Sequence, residues 1–178
     1  MKKVLYFAAL LLTMTLATSC EKEEVGNTAT VETAGQWYVT VDAVDESGNV
    51  VFEDADLFGL GRNLLLTYNS SANNPNEMIV DDLGNFWEYK VKVVVDPVNM
   101  TFATNTTEDN NLVEDYEDVN VTITGGKIVK NGGVQNNGSK ADYIEFYVAF
   151  SDDSYPAAYG YAKYHVYGVR YSGLAEND

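Results

Sequence analysis

The sequence predicts an all-β chain that closes as a single up-and-down antiparallel β-barrel of about eight or nine strands. Three observations carry that prediction. From Gly35 onward, apolar and polar side chains alternate with a period of two, which sends one side of a strand to a core and the other to water. No window of a dozen residues in that region holds a 3.6-residue apolar period. The connections are short and rich in Gly, Asn and Asp, which favours sequential antiparallel pairing, and a closed barrel removes the edges that such a sheet would otherwise leave open.

Residues 1–19 precede the barrel. Lys2 and Lys3 give a basic start, Val4 to Leu12 an apolar run and Thr13 to Ala17 a softer zone, the regions of a secretory signal peptide. With roughly 14 apolar or near-apolar residues the run is shorter than the ~20 that a spanning helix needs, so it reads as a targeting segment. Leu16-Ala17-Thr18-Ser19-Cys20 resembles a bacterial lipobox, in which cleavage falls just before a cysteine that has received a diacylglycerol. Cys20 is the chain's single cysteine, so its expected lipidation leaves no thiol for disulfide or redox chemistry. Each buried acyl CH₂ contributes about 0.8 kcal/mol, and two or three chains hold a protein on a bilayer where one does not. A membrane is therefore an expected partner, through Cys20.

Glu21-Lys22-Glu23-Glu24 resembles the export signal of surface-exposed Bacteroidetes lipoproteins. The same block also reads as solvated tether, which leaves both the cell surface and the periplasmic leaflet of the outer membrane open as locations. Residues 20–34 are polar and read as a flexible acidic tether, with the barrel domain over 35–174. Removing residues 1–19 takes away Lys2 and Lys3 and no acid, so the net charge moves from −16 to −18 over 159 residues. That length supports one domain burying roughly 70% of its unfolded surface. Such acidity repels phosphate backbones, which excludes DNA and RNA as partners.

Gln36 to Val44 is the first strand, with Trp37, Val39, Val41 and Ala43 on one face; Leu64 to Tyr68 is another. Met78 to Asp82 passes through Leu83-Gly84-Asn85 into Phe86 to Val95, and the pair reads as a hairpin. In the latter strand Trp87, Tyr89, Val91, Val93 and Val95 share one face while Glu88, Lys90 and Lys92 share the other. Val95-Asp96-Pro97-Val98-Asn99 turns the chain into Met100 to Thr104. Val119, Val121 and Ile123 then alternate with polar neighbours, and Gly125-Gly126 offers the positive φ of a two-residue hairpin loop before Lys127-Ile128-Val129. Tyr143 to Phe150 and Tyr161 to Tyr171 complete the set.

A barrel of about eight strands is either filled by side chains or holds one small ligand. Both faces of Tyr143 to Phe150 are largely aromatic or aliphatic, and in the last strand Tyr161, Lys163, His165, Tyr167, Val169 and Tyr171 fall on one side. Tyrosine offers an apolar body and a hydroxyl tip, suited to an amphipathic ligand; plain core packing explains the same residues. The candidate lining set is Trp37, Trp87, Tyr89, Tyr147, Tyr161, Tyr167 and Tyr171, with Lys163 and His165 meeting a polar head.

Gly59-Leu60-Gly61-Arg62-Asn63-Leu64-Leu65-Leu66-Thr67-Tyr68-Asn69, Asn76 to Asp82, Gly84 to Val93, Val121 to Ile128 and the Tyr143 to Phe150 strand together resemble the Bacteroidetes lipoproteins known as the lipid-binding putative hydrolase family. The resemblance covers about residues 35–173. It implies a lipocalin-like (calycin) barrel on a lipidated tether, and it brings no catalytic residues with it.

Hydrolysis by a nucleophile needs that group, a base and an orienting acid within hydrogen-bond reach of one another. His165 is the single histidine, and the chain holds neither a Gly-x-Ser-x-Gly elbow nor a His-Glu-x-x-His motif. Ser151-Asp152-Asp153-Ser154 lies nearby in sequence but has the composition of an ordinary turn. Asp45 to Asn49 and Glu108 to Asn111 collect oxygen ligands without EF-hand spacing, and one histidine beside a lipidated cysteine offers zinc too little. No metal and no cofactor is expected. Three readings follow: a non-catalytic binding module for a small lipid-like ligand, a hydrolase acting on a lipid or ester with His165 as its base, and a structural or accessory subunit of an outer-membrane complex.

Overall fold

The computed structural model describes residues 27–105 and 111–177. The signal segment, Cys20, the start of the tether and Glu108 to Asn110 lie outside the described residues. The strands are β1 (Gly35–Val44), β2 (Val50–Phe52), β3 (Asn63–Asn69), β4 (Glu77–Asp81), β5 (Lys90–Asp96), β6 (Thr101–Ala103), β7 (Val121–Val134), β8 (Lys140–Phe150) and β9 (Lys163–Arg170). Two short helices, α1 (Asp54–Leu57) and α2 (Tyr155–Tyr159), sit in connections. All pairings are antiparallel in the order β2-β1-β3-β4-β5-β6-β7-β8-β9, and β1 pairs with β9 as well. Eight strands thus close a ring, and β2 stands outside it against the end of β1. The fold is the all-β, lipocalin-like, up-and-down barrel that the alternation predicts.

The closing seam runs from Trp37 opposite Arg170 to Val44 opposite Lys163. Its register turns Trp37, Val39, Val41 and Ala43 inward, where they meet Leu65, Val80, Val91, Val93, Ile123, Ile144, Phe146, Val148 and Val166 in one buried cluster. Trp37 is 0% exposed; a tryptophan so buried removes about 200 Å² from water, roughly 5 kcal/mol of transfer free energy. Its indole Nε1 donates to Thr67 Oγ1 (2.9 Å), which donates to the Thr33 carbonyl (2.7 Å), and the Arg170 guanidinium lies 4.4 Å from the ring centre. These groups close one end, the base. The last residues assigned to the tether fold there, with Thr30 and Thr33 buried.

Two expected elements are corrected. The strand predicted from Phe86 begins only at Lys90, because the Asp82 carboxylate, itself buried, accepts backbone N–H groups from Gly84, Phe86, Trp87, Glu88 and Tyr89. That many donors converging on one carboxylate wrap residues 82–89 into a loop and forgo the ladder. The second correction concerns Gly125-Gly126, which does not turn the chain. Thr124 pairs with Tyr147 and Lys127 with Glu145 on the same neighbour, so β7 passes straight through a bulge with Gly125 at φ +63. A positive-φ glycine serves a bulge as readily as a hairpin loop.

The strand directions give the barrel two unlike ends. Residues 70–76, 97–100 and 135–139 make tight connections at the base, while 53–62, 82–89, 104–120 and 151–162 make long ones at the other end, the mouth. Gly168 pays for the closeness of the seam: a Cβ built on it would run into the Tyr38 carbonyl of β1. Gly168→Ala is therefore expected to destabilise the barrel by about 2–3 kcal/mol through overpacking, to be read from urea unfolding midpoints at unchanged m.

Candidate functional site

The mouth is closed by aromatic side chains delivered from loops. Phe58 follows α1, Phe86 and Trp87 ride on the loop that Asp82 wraps, Phe150 ends β8, and Tyr155 opens α2. Phe86 contacts Phe58 (5.2 Å between ring centres), Tyr164 (4.9 Å) and Phe150 (6.0 Å). Trp87 stacks on Phe150 at 5.1 Å and 9° and meets Tyr155 edge-on, while its Nε1 donates to Asp152 (3.2 Å). Offset and edge-to-face pairs of this kind contribute about 1 kcal/mol each beyond the area they bury. The long 104–120 connection is pinned to the same end by Asn111, whose Oδ1 accepts from Lys90 and Val113 and whose Nδ2 donates to the Glu88 carbonyl. The described member of the Glu108 to Asn111 oxygen cluster is thus occupied with backbone. In the other cluster, Asp45 accepts from both nitrogens of Asn49, bonds that hold its carboxyl below the usual carboxylate range.

Directly beneath the lid lies a polar chain. Tyr164, 0% exposed, points inward from β9 and donates its hydroxyl proton to Asp153 Oδ2 (2.6 Å). The Tyr161 hydroxyl is 2.6 Å from that of Tyr164. Burial, followed by the bond to Asp153, pushes the Tyr164 phenol far above its ordinary value, and burial raises that of Tyr161. Both stay protonated at any physiological pH. The hydroxyls sit where the apolar core gives way to the loops.

Five of the predicted residues are elsewhere. In β9 the inward residues are Tyr164 and Val166, so Lys163, His165 and Tyr167 face outward, as does Tyr147 of β8; Tyr171 packs on Tyr38 at 4.7 Å, on the outer wall near the base. The expectation that the odd-numbered side of the last strand looks into the barrel is corrected by one residue of parity. On the outer wall His165 stacks between Tyr147 (5.0 Å) and Tyr167 (4.9 Å), with Lys163 Nζ over Tyr147 and Glu145 3.6 Å from its Nε2. The Tyr167 hydroxyl donates to Asp42 (3.1 Å), and burial together with that carboxylate pushes it up to about 12. Trp37 and Tyr89 are inside but fully packed. Trp87 and Tyr161 do lie at the mouth.

Sequence reasoning missed Phe58, Phe86, Phe150, Tyr164 and Asp153 as members of this site. Loop residues carry no period to find them by; the surplus of aromatics around Phe86-Trp87 and Tyr155 to Tyr161 was the available signal. The Ser151 to Ser154 segment and His165 are not brought together. Asp153 bonds to Tyr164 on the inner face, Asp152 to Trp87, and Ser151 Oγ accepts from Asn120, while His165 faces outward. A groove of about 480 Å³ on the outer wall between β5, β6 and β7, lined by Val94, Phe102 and Gly125 to Lys127, is open to solvent and shares no lining residue with the lid.

Burial holds the His165 imidazole below its ordinary value near 6.5, against the opposing pull of Glu145 and Asp42. The unfolded chain then binds the proton first, so stability present above pH 6.5 is lost as pH falls toward the folded value. Glu145 adds the same sign lower down: burial pushes its carboxyl up, but bonds from Lys127 and Tyr143 outweigh that and hold it below 4.5. His165→Gln is expected to flatten the stability profile just below pH 6.5 and to leave the steeper acid limb, measured by urea unfolding at half-unit pH steps.

No curated protein matches the chain. Residues 22–175, which include every strand and every lid residue described above, match the model of the family described as lipid-binding putative hydrolase, and the protein belongs to that family.

Proposed function

We propose that the protein is an outer-membrane lipoprotein, anchored through Cys20, that binds a small apolar or amphipathic, lipid-like ligand at the mouth of its barrel and performs no catalysis on it. The observation that carries this reading is the lid. A closed barrel whose interior continues into aromatics borne on loops can open at that end without breaking a strand pairing, whereas the rest of its wall is hydrogen-bonded all round. Family membership supports the lipid-like class of ligand. The ligand's chain takes the place of lid side chains against Phe150 and Tyr164, and each CH₂ it buries contributes about 0.8 kcal/mol.

Chain direction supports an orientation. Residues 27–34 approach the barrel at its base, where the Thr33 and Ala34 carbonyls accept from Thr67 and Arg170. An acyl anchor at Cys20 accordingly sets the base toward the bilayer and the mouth toward water, whichever leaflet holds it.

Native mass spectrometry of residues 21–178 exposed to a bacterial lipid extract is expected to retain a discrete amphiphile mass. Binding is expected to change the emission of Trp87, and Trp87→Phe to remove most of that change, since Trp37 sits in the packed base. Extracts that leave the protein without any retained mass would sink the reading.

A further inference from the structure

Two features of the mouth bear on what kind of head group it takes. The first is the direction of the buried hydrogen bonds. A carboxylate only accepts, and a phenol has one proton; Tyr164 spends its proton on Asp153 (2.6 Å), so in the 2.6 Å contact between the two phenols Tyr161 is the donor. Every proton in the chain thus points toward Asp153. The oxygen of Tyr161 is left as a hydrogen-bond acceptor, and among the described residues its one hydrogen-bond partner is Tyr164. Asp153 is held in place from its other side, its Oδ1 accepting the Tyr155 N–H at 2.8 Å. The raised phenol values of Tyr161 and Tyr164 keep both hydroxyl protons in place.

The second feature is charge. The mouth segments 45–46, 53–56, 82–88, 114–118 and 152–153 bring thirteen acids to one end of the barrel, whereas the base turns 70–76, 97–100 and 135–139 contain no charged residue. Of the mouth's bases, Lys90 is paired with Asp81, Lys163 lies over Tyr147 and reaches the Glu46 carbonyl, and Arg62 turns onto the Tyr38 ring and donates to the Asn177 carbonyl. An anionic head approaching the lid meets a field of its own sign.

We propose, resting on the lipid-binding reading above, that the mouth selects amphiphiles whose head donates a hydrogen bond and carries no negative charge, with Tyr161 as the residue that receives that bond. A hydroxyl-bearing head extends the chain in its own direction, ligand to Tyr161 to Tyr164 to Asp153. A carboxylate or phosphate head has no proton to give, leaves the Tyr161 acceptor unmet under a closed lid, and faces the acidic rim. An ester head is neutral but also has nothing to donate.

The test separates donor capacity from charge on a constant chain. Dodecanol, methyl dodecanoate and dodecanoate are titrated into the full mature chain at pH 7.5 and 0.15 M salt, with Trp emission as the readout and native mass spectrometry as the check on stoichiometry. Dodecanol is expected to bind about tenfold more tightly than methyl dodecanoate, the loss that follows from leaving a buried acceptor unpaired, and dodecanoate most weakly. Tyr161→Phe, checked for an unchanged circular dichroism spectrum and unfolding midpoint, is expected to bring dodecanol down to the level of methyl dodecanoate while leaving the ester's affinity in place. Equal affinities for the three probes, or dodecanoate the tightest, overturn the head-group inference and leave lipid binding standing. Retention of the dodecanol preference in Tyr161→Phe overturns the assignment to that residue. Failure of all three to bind overturns both this inference and the reading on which it rests.

Discussion

The seam between β1 and β9 is the constraint on which the rest depends. Eight residue pairs join the first and last strands of the ring, and the register they adopt fixes the parity of every side chain on both. Sheet side chains have a period of two, so a slip of one residue would exchange inside for outside along the whole of β9. Gly168 helps to fix the register, since at the closest approach to Tyr38 no other residue type leaves room. With Gly168 turned toward β1, Val166 and Tyr164 are turned inward, and the Tyr164 hydroxyl arrives at the mouth. The same parity expels His165 to the outer wall. The inward phenol and the outward imidazole are therefore one decision, made by backbone geometry far from both.

Much of the barrel was legible because strands with one wet and one dry face announce themselves. In β1 the run Trp37, Val39, Val41, Ala43, and in β5 Val91, Val93, Val95, lie inside as their alternation demands. The signal failed where residue chemistry is two-faced. In β9 a tyrosine stands on either parity, and a phenol is as comfortable at a wet surface as under a lid, so the aromatic count pointed to the odd-numbered side. The charge of Lys163 and the polarity of His165, both on that side, were the better guide. Gly125 was ambiguous for a different reason: its φ is what both a turn and a bulge require, and only the continuation of pairing from Thr124 to Lys127 along β8 distinguishes them. The strand expected to carry Trp87 was lost to a long-range effect in miniature, because a carboxylate five residues earlier outcompetes the ladder for its N–H.

The division between base and mouth follows from how each end is held. At the base, short uncharged turns and the Trp37, Thr67 and Arg170 contacts tie the chain to the core itself. At the mouth, the Asp82 carboxylate holds its own loop together, and the loops are tied to one another by Asn111 and by ring contacts. Like charges gathered there raise the energy of the closed arrangement, by an amount that salt reduces since the Debye length is about 8 Å at physiological ionic strength. Local opening is cheapest where few backbone bonds cross between elements, which singles out the lid against the continuous ladders below it.

How the lid opens is constrained by the same bonds. Five N–H groups bound to Asp82 make residues 84–89 a compact unit with little internal freedom, so Phe86 and Trp87 are displaced together. In the proposed opening that movement uncovers Phe150 and Tyr164, an apolar ring beside a hydroxyl already committed to Asp153. The wall residues do not take part: Glu145, bonded by Lys127 and Tyr143, and the stacked Tyr147, His165 and Tyr167 are joined across three strands of the closed sheet. Beneath the lid the barrel presents the protonated phenols of Tyr161 and Tyr164, with the Asp153 carboxylate accepting from Tyr164.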